Sequence, residues 1–207
     1  MQKLALTVTA VALTAILALP GPLAAAPRYH YYDLGALGGN YSDAYGLNLS
    51  GQVVGYAGNA ADNDRAFQKD FDQPMQDLGD LGGDSSYAFG INASGQVAGK
   101  AMNQDGFYRA FLKEPGQEMQ DLGDLGGLSS CAYGLNQDGQ VVGSADDDYG
   151  IQRAFLKKPG QKMQDLGGLG GNEACARAIN DTGQIVGGAA NAAGNYRAFL
   201  KEPDQPM

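Results

Sequence analysis

The stretch Asp77-Leu78-Gly79-Asp80-Leu81-Gly82-Gly83, followed by Tyr87-Ala88-Phe89-Gly90-Ile91-Asn92-Ala93-Ser94-Gly95-Gln96-Val97-Ala98-Gly99, is one copy of a pattern that fills most of the chain. Asp-Leu-Gly occurs at Asp33, Asp77, Asp121 and Asp165, each 44 residues after the last. Leu-Gly-Gly follows at Leu37, Leu81, Leu125 and Leu169, Asn-x-x-Gly-Gln at Asn48, Asn92, Asn136 and Asn180, and Arg-Ala-Phe at Arg65, Arg109, Arg153 and Arg197. Markers held in one register over several copies identify a repeat architecture. No insertion interrupts them, so residues 27–207 read as one domain with units at about 31–74, 75–118, 119–162 and 163–207.

Each unit reads as four short strands. In the second, Met75 to Gly79 is the first strand. Tyr87 to Ile91 alternates large and small residues with period two, a strand signature. Asn92-Ala93-Ser94-Gly95 is a tight hairpin, in which Asn and Ser bond their own backbone and Gly95 supplies a positive φ. Gln96 to Gly99 starts the return strand, and Tyr108 to Lys113 is the fourth.

The alternation also predicts the packing. Tyr87, Phe89 and Ile91 share one face while Ala88 and Gly90 share the other. A sheet with a wet face would put polar residues there; small residues instead expect a second sheet lying close. The chain therefore reads as all-β, with four repeats of four short antiparallel strands in a β-propeller-like arrangement. Pairing Tyr31 to Gly35 with the last unit would close a ring and remove its open edges. An open β-solenoid and a fragment of a larger propeller stand as alternatives.

Composition narrows the function. The 207 residues include 14 Lys plus Arg against 23 Asp plus Glu, for a net charge of −9. An acidic chain without a basic patch is not a nucleic-acid binder, because phosphate contacts need Lys and Arg. The single histidine, His30, excludes multi-His metal sites. At the N-terminus Lys3 precedes an uncharged run from Leu4 to Leu19, then Pro20-Gly21-Pro22 and Ala24-Ala25-Ala26. That order is a secretory signal peptide spanning 1–26, too short and Pro-broken for a membrane span. The expected location is extracellular or periplasmic, with no transmembrane span once the signal is removed.

The markers resemble the HAF-repeat family of bacterial extracellular repeat proteins, over Tyr31 to Met207. The likeness rests on Asp77 to Gly83, Tyr87 to Asn92, Gly95 to Gly99 and the triplet ending each unit. The family is named for His-Ala-Phe in that triplet, whereas all four units here carry Arg. The resemblance implies an exported protein and supplies no catalytic residues.

Candidate site residues follow from the repeat. Asp33, Asp77, Asp121 and Asp165 with Arg65, Arg109, Arg153 and Arg197 predict one ion pair per unit, fixing register between sheets. The acidic loops containing Asp62, Asp64, Asp105, Asp146 and Asp148 offer hard oxygen ligands suited to calcium, although none completes an EF-hand loop; otherwise no cofactor is expected. Cys131 and Cys175 occupy one register a unit apart. In an oxidising compartment they are candidates for a disulfide, which requires their Cα atoms within about 7 Å. Unit four is irregular, with Arg177 where the others have Tyr45, Phe89 and Tyr133, and Ala178 where they have Gly.

These features lead to the expectation of a secreted, non-enzymatic repeat module. It would bind a macromolecule or surface glycan through aromatic and Arg side chains on loops between units, and it could form homo-oligomers. The alternatives are a purely structural extracellular or matrix repeat protein, and a polysaccharide hydrolase or lyase.

Overall fold

The computed structural model describes residues 29–203. The signal-peptide reading falls on 1–26 and lies outside them. No helix among the described residues is long and apolar enough to cross a membrane.

All regular structure among the described residues is β. The first sheet holds β1 (Gly38–Leu47), β2 (Val53–Asn59), β3 (Asp64–Lys69) and β4 (Gln76–Asp77). The second holds β5 (Gly82–Ile91), β6 (Val97–Asn103), β7 (Tyr108–Lys113) and β8 (Met119–Asp121). The third holds β9 (Gly126–Leu135), β10 (Val141–Asp147), β11 (Gln152–Lys157) and β12 (Gln164–Asp165). The fourth has three strands, β13 (Gly170–Ile179), β14 (Ile185–Asn191) and β15 (Tyr196–Lys201). Each sheet is an antiparallel meander in sequence order, the all-β, four-repeat, propeller-like organisation expected from the pattern.

Two points differ. The short strand carrying Asp77 does not open the second unit: Asp77 pairs with Phe67 and Gln76 with Gln68, so β4 is the outer strand of the sheet before. The ring is also not closed. Tyr31 to Gly35 forms no strand. The sheets pack in succession, with β2 and β3 against β5, β6 and β7 against β9, and β10 and β11 against β13. Among the described residues the stack is open.

Three equivalent cores fill the three interfaces. Between the first two sheets, Val54, Ala66 and Leu78 meet Ala88, Val97, Ala101 and Phe111. Ala98, Ala110, Leu112 and Leu122 then meet Ala132, Val141, Ala145 and Phe155. Val142, Ala154 and Leu166 meet Ala176, Ile185, Ala189 and Phe199. Ala110, Phe111 and Leu112 are all buried, so this strand is covered on both faces, as the small-residue alternation requires. Truncating such a buried Phe typically costs about 3–5 kcal/mol.

Glycine makes room for that ring. A Cβ on Gly99 would lie 1.9 Å from the Tyr87 carbonyl oxygen and 2.8 Å from the Phe111 ring. The crowded position lies beside a bulge in β5 between Ala88 and Gly90.

Candidate functional site

The repeated polar side chains are the first place to look for chemistry, and most act within the scaffold. Asn92 caps its own hairpin: its Oδ1 accepts from the amides of Ser94 (3.1 Å) and Gln96 (3.0 Å). Its Nδ2 then donates across the interface to the Asn136 carbonyl at 3.0 Å. Asn48 does the same to Asn92 (3.0 Å), and Asn136 to Asn180 (3.2 Å). Ser86 and Ser130 make a second kind of bridge. The Ser86 hydroxyl accepts from Ala66 N of the preceding sheet at 2.9 Å and donates to Gly79 O at 2.7 Å; Ser130 does the equivalent to Ala110 and Gly123.

The Asp and Arg repeats meet in the first two units. Arg65 reaches Asp77 at 3.2 Å and Asp80 at 2.5 Å. Arg109 reaches Asp121 at 3.6 Å and also contacts Asp124. Because β4 and β8 belong to the preceding sheet, these pairs tie the outer strand and its exit turn to their own sheet, while Arg109 also donates to the Gly127 and Leu128 carbonyls of β9 in the next sheet, at 3.4 and 3.3 Å. The carboxylates also cap those turns, with Gly79 N donating to Asp77 and Gly82 N to Asp80. Burial pulls the Asp80 carboxyl upward, but the Gly82 amide and the Arg65 guanidinium outweigh it and hold it below the ordinary carboxylate value. After the outer strand of the third sheet Gly168 stands at the Asp80 position, and Arg153 turns to Asp147 at 2.8 Å. That contact comes first in lowering the Asp147 pKa, ahead of the opposing effect of burial. Asp165 caps Gly167 N. Arg197 donates to the Tyr196 carbonyl, and Asp33 lies outside the four sheets.

The calcium candidates are not brought together: no group of three or more His, Cys, Asp or Glu able to hold a metal ion occurs among the described residues. Asp64 instead accepts hydrogen bonds from the hydroxyls of Tyr41 and Tyr87. The bond to Asp64, reinforced by burial, pushes the Tyr41 phenol up to about 12. Asp62 takes a positive φ of 63° in the adjoining turn. Asp105 donates its amide to Asn103. Asp146 and Asp148 flank Asp147, which caps its turn by accepting from Tyr149 N and Ile151 N.

Cys131 and Cys175 are free thiols. Cys131 is half-buried, and burial lifts its thiol to about 11; burial also raises Cys175. Neither has the lowered pKa of a reactive nucleophile.

One feature escaped the sequence reading. The repeat position held by Tyr45 in the first copy builds a ladder across successive sheets. Tyr45 meets Phe89 at 5.5 Å, Phe89 meets Tyr133 at 5.8 Å, and the Arg177 guanidinium lies 4.6 Å from the Tyr133 ring centre. Arg177, which looked irregular, closes this ladder by a cation–π contact. A second group forms beside it, with Tyr56 5.0 Å from Tyr87, Tyr87 5.9 Å from Tyr108, and the Lys100 ammonium 4.3 Å from the Tyr108 ring centre.

A cavity of about 460 Å³ lies where the hairpin ends of the third and fourth sheets meet, and Asp138, Lys158, Asp181, Lys201 and Glu202 line it. A smaller crevice of about 200 Å³, lined by Gln96, Leu112, Glu114 and Lys157 among others, holds the same place one interface earlier.

No family model matches the chain, and no curated protein does. Among solved structures it is similar to a gluconolactonase from Xanthomonas campestris, at 11% identity and a TM-score of 0.45, over 78% of this chain and 62% of that one. That neighbour is an enzyme, which runs against the expected non-enzymatic module binding a macromolecule or surface glycan. Tyr87, Tyr108 and Arg109 lie in strands, packed or paired with neighbouring residues, whereas Phe71 and Tyr149 are exposed aromatics on turns. That expectation is withdrawn, and the likeness itself assigns no activity to the chain.

Proposed function

We propose that the chain is a structural repeat protein of the extracellular space, a stack of sheets whose role is mechanical and architectural. The observation that carries this reading is the use of its repeated polar groups. Asn92 and its counterparts tie sheet to sheet, Ser86 and Ser130 bridge the same interfaces, and Arg65 and Arg109 hold their own outer strands, Arg109 reaching the next sheet as well. Export is supported by the order Lys3, Leu4 to Leu19 and Ala24-Ala25-Ala26.

The same reading makes the stack extensible. Val54 and Val142 are fully buried by the sheet that follows, whereas Val186 at the same repeat position is 44% exposed. Leu112 is buried and its counterpart Leu200 is 60% exposed. A second copy offers the matching surface in β1, nearly all of which is exposed. Sedimentation velocity on residues 27–207 over a wide concentration range tests this. Growth in size with concentration, suppressed by Val186→Asp with Leu200→Asp, is expected. A monomer at every concentration, unaltered by the double substitution, counts against it.

The second reading, a hydrolase or lyase, is favoured by the 460 Å³ cavity, which is of enzyme-site size and brings Asp138, Asp181 and Glu202 to one surface. Turnover of a sugar lactone or polysaccharide that disappears in Asp181→Asn or Glu202→Gln would establish it over the structural reading.

A further inference from the structure

The repeat contains a natural vacancy for one aromatic ring. At the first interface Tyr87 fills the space between sheets: its ring lies 5.0 Å from Tyr56 and 5.9 Å from Tyr108, and its hydroxyl donates to Asp64. One unit later Cys131 stands at the Tyr87 position, Lys100 at the Tyr56 position and Tyr108 at the Asp64 position. Replacing a phenol side chain by a thiol removes six ring carbons and a hydroxyl; Tyr108 in place of Asp64 adds a ring to one wall, and space remains beside it. Ser144 stands where Lys100 did, and Gln152 where Tyr108 did. A cavity of about 170 Å³ opens at this place, lined by Lys100, Tyr108, Cys131, Tyr133, Ser144 and Gln152 among others. One unit further on, Cys175 is buried, and a Cβ on Gly188 would fall 2.3 Å from the Tyr196 ring. Tyr196 thus occupies that neighbourhood.

We propose that the Cys131 cavity is a binding site for a small phenol, whose ring takes the place that the Tyr87 ring holds one interface earlier. The volume is large enough, since about 150 Å³ accommodates a benzene ring, although Asp146 and three serines make part of this lining polar. The walls also fit. Tyr108 and Tyr133 offer aromatic surface, and the Lys100 ammonium already sits over two rings, 4.9 Å from Tyr87 and 4.3 Å from Tyr108. A ligand ring there replaces the Tyr56–Tyr87 ring contact by a cation–π contact with Lys100. Tyr108, Ser144 and Gln152 supply hydrogen-bonding partners for the ligand hydroxyl. The thiol contributes soft, polarisable contact and undergoes no reaction.

The test is a titration with phenol, followed by amide resonances. In the wild-type chain, resonances of Lys100, Tyr108 and Ser129 to Tyr133 shift saturably, and cyclohexanol, with the same hydroxyl but no π-face, binds at least about tenfold more weakly. Cys131→Tyr fills the cavity and abolishes the response, while Cys131→Ser, which leaves the space open, retains it. Lys100→Met weakens phenol more than cyclohexanol, a readout that holds even where Cys131→Tyr fails to fold. Absence of saturable shifts in the wild type, an equal response in Cys131→Tyr, or equal affinity for phenol and cyclohexanol overturns the proposal.

Discussion

The side-chain amide of Asn92 donates to the main-chain oxygen of Asn136, exactly one repeat away in sequence and one sheet away in space, at 3.0 Å. The same Asn92 side chain accepts two hairpin amides through its oxygen. One buried residue thus closes a turn and fastens that turn to the next sheet.

Asn92→Ala leaves the Asn136 carbonyl and two hairpin amides without their partner, so stability should fall by about 1–3 kcal/mol. Asn180 caps its own hairpin and donates to Gln184, and no donation to a further sheet is seen among the described residues. Asn180→Ala should therefore cost less. Urea denaturation of the two variants side by side measures the difference.

The Arg65–Asp80 contact predicts an acid dependence. The folded carboxyl titrates below its ordinary 3.8. The stability it contributes is therefore complete above that value and is lost as pH falls through the lower folded value. Arg65→Met should destabilise by about 1–2 kcal/mol at neutral pH. The gap in melting temperature between it and the wild type should narrow below about pH 4. Arg197→Met, which removes no carboxylate contact described in the structure, should change stability by less than about 0.5 kcal/mol.

Gly99→Ala should be among the most damaging single substitutions, because its Cβ must displace the Tyr87 carbonyl or the Phe111 ring. A loss above about 3 kcal/mol, or failure to fold, is expected. Gly106→Ala, a turn residue with open space around it but a φ of +83°, should cost only about 1 kcal/mol through backbone strain. Thermal melts of both variants check the contrast.

Burial of Cys131 predicts a sluggish thiol. With its pKa raised from 9.0 to about 11, alkylation by iodoacetamide at pH 8 should run about 100-fold slower than in the urea-unfolded chain. The neutral thiol is the form the fold favours. Its contribution is intact below pH 9 and is lost as pH rises through about 11, so alkaline melting should begin in that window. Mass spectrometry of labelled protein under both conditions reads the rates.

The strands, hairpins and small-residue packing faces were legible in the sequence because each depends on residues within a few positions of one another. Tyr87 to Ile91 falls inside β5, and the Asn92 to Gly95 hairpin joins it to β6. The phase of the repeat was not legible. A periodic sequence looks alike wherever it is cut, and only the pairing of Asp77 with Phe67 assigns that strand to the sheet before. The cross-sheet role of Asn92 was hidden for a related reason: hairpin chemistry accounted for the residue through its oxygen, leaving nothing to betray the amide nitrogen. The aromatic ladder was concealed by the change from Tyr133 to Arg177, which preserves the contact while altering the residue class. The Cys131 cavity appears only when each position is compared with its counterpart 44 residues earlier and the missing volume is followed into space.

The central claim is that each sheet is held by its neighbours. Chains comprising residues 29–80, 29–124, 29–168 and 29–207, compared by thermal unfolding, test it most directly. Stability should rise with every added sheet, as nearest-neighbour coupling in a repeat array requires, and the one-sheet chain should be unfolded. A one-sheet chain that folds and melts at the temperature of residues 29–207 would contradict it.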